Sequence, residues 1–330
     1  MRHLLSVIVI ALSSPAGADG ADIRAIVDGH ILPGYQILAT EAADLAATAA
    51  SECAPNSPDL ISDFNTAFDA WVSVSHLRFG PSEQQNRAFA LAFWPDTRGS
   101  IPKALAALLG DQDTAVSDPD AFAEVSIAAR GFYALEFLLF DPQFAPGDNP
   151  EYHCTLVQAV TGDIALISAA IHDDWRGGYG DVMSDAGNDT YRTPTEAAQQ
   201  LFTALSTGLE FTANARIGRP LGTFDRPRPN RAEARRSGRS LRHVILSLTA
   251  TKDLSALMSA DNAAVAEAFD TALQRAEALD DPIFAGAADP QGRLRIEVLQ
   301  QEINDIRQLL AESVGPSLGI AAGFNSLDGD

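Results

Sequence analysis

Apolar residues recur at intervals of three and four along most of this chain, and no stretch sustains the alternation of a half-buried strand. The pattern predicts a long helix over 22–52, with a break at Pro33-Gly34. After a loop at 53–58, Leu60, Ile61, Phe64, Phe68, Trp71 and Val72 form an apolar stripe that stops near Gly80-Pro81. Shorter helices are expected over 83–93 and 101–109, separated by a turn at 95–99. A longer one is expected from Ser117 to Phe140, and another from Pro150 carrying Leu156, Val160, Ile164 and Ile167. Residues 173–192 are rich in Gly and Asp and read as a loop. Beyond it, helices are predicted from Thr193 to Ile217 and over 231–250, 260–279 and 293–313, with a Pro- and Gly-containing loop at 218–230. The expectation is an all-α fold of two helical bundles packed side by side, the first over 19–172 and the second over 193–330.

The first residues change the picture of where the chain works. Arg2 and His3 precede an apolar run from Leu4 to Leu12, and Ala16-Gly17-Ala18 supplies small residues for cleavage. That is the pattern of a secretory signal peptide over 1–18, with a mature chain from Asp19. No later segment reads as long and apolar enough to cross a bilayer. An exported chain meets an oxidising compartment, so Cys53 and Cys154 are predicted to form a disulfide.

The formal net charge of −21 excludes nucleic acid as a general partner, because phosphate binding needs a basic footprint. The charge is uneven. Arg216, Arg219, Arg226, Arg228, Arg231, Arg235, Arg236, Arg239 and Arg242 fall within 27 positions that hold only Asp225 and Glu233 as acids. Two readings stand for this stretch: a solvated segment paired with acidic neighbours, or a site for an anion or carboxylate.

The chain carries no nucleotide-binding loop, no H-E-x-x-H and no G-x-S-x-G. Its His residues are scattered, with no two at i, i+4 on one helix. The most informative segment is Arg130 to Phe140, RGFYALEFLLF, in which Glu136 lies inside an almost wholly apolar run. A carboxylate there needs a partner, a metal or a proton. Tyr133 precedes it by three positions, so the two side chains are neighbours on the helix surface.

Residues 131–136, GFYALE, resemble the G-x-H-x-x-E motif of the imelysin family. Residues 76–81, HLRFGP, and 93–99, FWPDTRG, resemble that family's paired first-domain turns, and the tail from Gly319 resembles its usual ending. The resemblance implies two helical bundles related by internal duplication, with a site between them. It also implies a place in the bacterial envelope, periplasmic or outer-membrane-associated, iron as the associated metal, and envelope iron-uptake components as partners. The family is named for peptidase activity, and its motif has been read as a metal site. This chain departs at Tyr133, which stands where the motif has His. One carboxylate without a second ligand from the same motif does not fix a catalytic metal.

The sequence therefore points first to a binding protein, with Tyr133, Glu136, Arg78, Trp94, Arg98, Arg239 and Arg242 as binding residues. A metal-dependent peptidase is the alternative, with Glu136 and His76 as metal ligands. A scaffold without a small-molecule site is the third reading. At least one of Arg78, Arg98, Arg239 and Arg242 is expected to meet the Glu136 carboxylate, because a guanidinium fork is the usual partner of a buried acid.

Overall fold

A computed structural model describes residues 21–259 and 262–320. Nine long helices dominate it: α1 (Leu32–Ser51), α2 (Pro58–Val74), α3 (Ser100–Asp111), α4 (Gly131–Phe140), α5 (Pro150–Asp174), α6 (Pro194–Phe211), α7 (Ser240–Met258), α8 (Ala263–Glu277) and α9 (Pro290–Ser317). Among the described residues there is no strand, only an isolated bridge between Thr223 and Arg226. Helix starts follow local chemistry. Ser57, Asn149, Thr193 and Asp289 each accept a backbone N–H of the first turn, and a Pro stands at the first helical position after each.

Helices α1, α2, α4 and α5 pack as one bundle, and α6, α7, α8 and α9 as the other. The principal seam between them is α2 against α7. One contiguous cluster of buried apolar side chains runs through both, from Ile23 to Ile320. Ion pairs reinforce the seam, for Arg239 and Arg242 of the second bundle both reach Asp69 of α2.

Several helix boundaries differ from the sequence expectation. Pro33-Gly34 does not break the first helix. A π turn at Val27–Ile31 joins Ile23–Ile26 to α1, and Pro33 stands in the first turn of α1, where a proline is tolerated. The expected helix over 117–140 is instead two, Pro119–Ala123 and α4. Gly131 separates them with φ +74°, and a Cβ there would lie 2.2 Å from the Ala90 carbonyl oxygen. Only glycine fits so close an approach. The expected helix over 83–93 is regular only at Arg87–Leu91.

The 173–192 stretch is helical as far as Ser184, because a π turn at Trp175–Tyr179, kinked at Gly178 with φ +146°, joins α5 to the short helix Gly180–Ser184, with Trp175 fully buried. Residues 231–239 form turns rather than the start of α7.

The helix Pro150–Ser184 is long and apolar enough to cross a membrane by length and composition, contrary to the sequence expectation. In this fold it packs on α1 and α4, and its buried Asp163 is bidentate to Arg130 at 2.7 and 2.9 Å. A core helix of a helical bundle meets the same criteria.

Candidate functional site

Where the bundles meet, a cavity of about 290 Å³ opens between them. The first bundle supplies Trp71, Ser75, His76, Arg78, Trp94 and Tyr133. The second supplies Thr207, Phe211, Arg216, Glu233, Ser247 and Thr251. Close approach is possible because α6 presents Gly208 to the turn after α2. A Cβ at 208 would lie 2.6 Å from Cβ of His76.

The cavity floor is a buried polar network. Tyr133 donates its hydroxyl to Glu233, which also accepts from Arg216 Nε at 2.7 Å. Arg216 spends its remaining donors on Ser247 at 2.7 Å, Thr212 at 3.3 Å and, across the junction, Ser75 at 3.3 Å. His243 Nδ1 lies 3.2 Å from Glu233 but off the line of a hydrogen bond, while its Nε2 accepts from Arg239. Burial alone would raise the Glu233 carboxyl, but Arg216, His243 and Tyr133 overcome it and hold it at about 2. The Tyr133 phenol is pushed far upward, first by burial and then by the Glu233 charge, so it stays a neutral donor.

His76 meets a partner that spacing did not suggest. Its Nε2 lies 3.1 Å from Nε2 of His30, which the π turn of the first helix turns inward. Burial lowers both rings, His30 to about 4, and His76 is lowered further by His30 and Arg216. Burial likewise lowers His243 to about 4.

Folded His30, His76 and His243 therefore bind protons less readily than they do unfolded. For His30 and His243 the stability of the neutral form is complete above pH 6.5 and is lost as the pH falls toward 4, on the order of 3 kcal/mol for a shift of this size, and His76 acts in the same direction. Glu136 and Asp163, raised by burial, act in the opposite sense. The expected result is a melting temperature that drops between pH 7 and 4.5, less so in a His30→Gln/His76→Gln variant. A flat profile in the parent protein would contradict it.

The motif carboxylate of Glu136 faces away from this cavity. It accepts from the backbone N–H and hydroxyl of Ser237 at 2.9 and 2.8 Å, and it lines a second cavity. Trp94 and Tyr133 form the wall between the two. None of the four Arg expected at Glu136 pairs with it. Arg239 and Arg242 are drawn to Asp69, Arg78 to Glu83 at 2.5 Å, and Arg98 is exposed on its turn. The 232–239 turn brings an N–H and a hydroxyl to one oxygen of the acid, and the nearby guanidinium charge is that of Arg236, which was not among the four. His76 and Glu136, expected as metal ligands, line different cavities and are not brought together.

Of the expected binding residues, Tyr133, Trp94 and Arg78 line the junction cavity, whereas Arg98, Arg239 and Arg242 do not. Arg216, Glu233 and His30 escaped the sequence reading. The one signal for Glu233 was its position as one of two acids amid a run of Arg.

A helical protein with two bundles and an aromatic, partly charged cavity on their seam is the class these features define. The imelysin family model matches residues 31–310, and the chain belongs to that family. It is 24% identical over 323 residues to iron-regulated protein A of Synechococcus elongatus, covering 89% of this chain and 85% of that protein. Its fold matches an imelysin-like protein of Psychrobacter arcticum with a TM-score of 0.78 at 19% identity, over 96% of this chain and all (100%) of the other. A Parabacteroides distasonis structure described as an iron-regulated protein A precursor matches with a TM-score of 0.72 at 14% identity, over 94% and 95% of the two chains.

Proposed function

We propose that this is an exported binding protein of the cell envelope that holds its ligand in the junction cavity and serves iron acquisition. The carrying observation is the Tyr133–Glu233–Arg216 network at the floor of that cavity. It is a fixed, desolvated polar network beneath a space lined by Trp71, Trp94 and Phe211, a mix of aromatic wall and a few placed polar groups that is usual for a small-molecule site. Export is supported by the signal-peptide pattern over 1–18, which lies outside the described residues, and by the precursor name of the Parabacteroides protein. The link to iron is supported by the names of the Synechococcus and Parabacteroides relatives.

The donor set favours binding over hydrolysis. Tyr133 in the motif's His position is a protonated donor to Glu233, and Glu136 is occupied by Ser237. Among the described residues no group of three His, Cys, Asp or Glu could hold a metal ion. In this reading iron is cargo that reaches the cavity with its own chelating ligands.

Trp71 and Trp94 make the test direct. Titration of the purified mature chain with ferric chelates should quench tryptophan fluorescence saturably. Thr207→Trp, which fills the cavity from α6, should abolish the saturable component. A strain lacking the gene should grow poorly under iron limitation and be rescued by the parent gene but not by this variant. No saturable response together with normal growth would overturn the reading, as would chelator-sensitive cleavage of unfolded peptides.

A further inference from the structure

The second cavity, of about 250 Å³, lies behind the Trp94–Tyr133 wall and collects three guanidinium groups, from Arg219, Arg231 and Arg236. They arrive from separate local structures. Arg219 sits on the short helical turn Gly218–Leu221 that prolongs α6, Arg231 on the 3₁₀ turn Pro229–Arg231, and Arg236 on the turn before α7. Aromatic faces orient two of them. Arg219 lies 5.6 Å from the Trp94 ring centroid and Arg236 lies 3.5 Å from that of Phe137.

Their charges are unequally answered. Arg236 is bonded to Asp141 at 2.5 Å. Arg216, Arg239 and Arg242 of the same run also have carboxylate partners. Arg219 and Arg231 pair with no carboxylate among the described residues, and Arg219 Nε is buried without a hydrogen-bond partner. Burial, and then the neighbouring charge of Arg231, make the charged form of Arg219 harder to hold.

The two acids that line this cavity are already committed. Asp96 accepts the backbone N–H groups of Arg98, Ser100 and Ile101 at 3.2, 2.9 and 2.8 Å. Glu136 accepts from Ser237. Half-buried Arg219 and exposed Arg231 thus line one space without an ion pair to either acid there, in a chain whose net charge is −21 and where acids are plentiful elsewhere.

We propose that this cavity is an anion site for a small molecule bearing carboxylate or phosphate groups, with Arg219 and Arg231 as its charge partners and Arg236 and Trp94 shaping its wall. A planar guanidinium meets either oxyanion with two parallel N–H donors, which an ammonium cannot do. A bound oxyanion relieves the repulsion between Arg219 and Arg231 and supplies the missing acceptor for Arg219 Nε. The site is separate from the junction cavity and does not rest on what that cavity binds.

The test is calorimetric titration of the mature chain at low ionic strength, with citrate in one arm and inorganic phosphate in the other. Saturable binding tighter than ~1 mM is expected in at least one arm, and the arm that binds names the group. Arg219→Gln and Arg231→Gln should each weaken it at least tenfold, and added sodium chloride should weaken it in the parent protein. Arg219→Lys, which keeps the charge but loses the fork, should weaken it too, with the melting temperature confirming that each variant folds. Thr207→Trp, in the other cavity, should leave it unchanged, which separates failure here from failure of the proposed function. Two silent arms, or binding that survives both Arg→Gln changes, overturn the site.

Discussion

Glu233→Ala is expected to destabilise the fold by about 3–5 kcal/mol, because it leaves a buried guanidinium without its counter-ion. Glu233 is 1% exposed and Arg216 4% exposed, so neither charge can turn to water. Without the carboxylate, Arg216 keeps only the hydroxyls of Ser247, Thr212 and Ser75, and Tyr133 loses its acceptor. Urea unfolding of parent and variant measures the loss, and a change below ~1 kcal/mol would show that the pair is not a structural element. The double change Glu233→Leu/Arg216→Met should recover part of it, since no unpaired charge then remains. Recovery will be incomplete because the Tyr133 hydroxyl still lacks a partner. The size of that residue isolates what the network contributes beyond charge pairing.

A comparable loss is expected from the covalent link. Cys53 and Cys154 are bonded, with Cα atoms 5.2 Å apart and 101 positions between them. The bond ties the loop after α1 to the first turn of α5. Closing a loop of that length restricts the unfolded chain by about 3–5 kcal/mol in the chain-entropy model. Cys53→Ala/Cys154→Ala should therefore lower the urea midpoint markedly, and a reductant should lower that of the parent protein but not of the variant. Equal midpoints for parent and variant would contradict this.

What could be read from residue order alone was local. The stripe from Leu60 to Val72 is buried where its spacing said it would be, apart from half-buried Ile61. The helix expected from Thr193 starts there, with that side chain as its cap, and the Cys pair closed as expected. Glu136 was singled out for the right reason, since it is buried, but the wrong partner was expected. A carboxylate is satisfied by whichever donors the fold brings near, and Ser237 lies 101 positions away. The same distance hides the Tyr133–Glu233 bond, which joins residues 100 apart. The Arg-rich run is not of one kind, for it mixes buried Arg216 and Arg239, each paired with a carboxylate, with exposed Arg226, Arg228 and Arg231. Residues 231–239 contain good helix formers, yet Ala234 adopts φ +46° and the segment turns. Tertiary contacts around Glu233 override propensity there.

The π turn at Val27–Ile31 has a further consequence, for the counting of residues. Ile26 and Ile31 are both fully buried although they stand five positions apart, one more than a regular turn allows. The turn thus holds a single surplus residue, and the faces before and after it are out of step by about 100°. Removing one residue here would restore a regular helix, but Ile23 and Ile26 would rotate off the core and His30 would no longer point at His76. The insertion works as a phase adjuster: one extra amino acid lets residues on two different sequence phases share one buried side of a single rod.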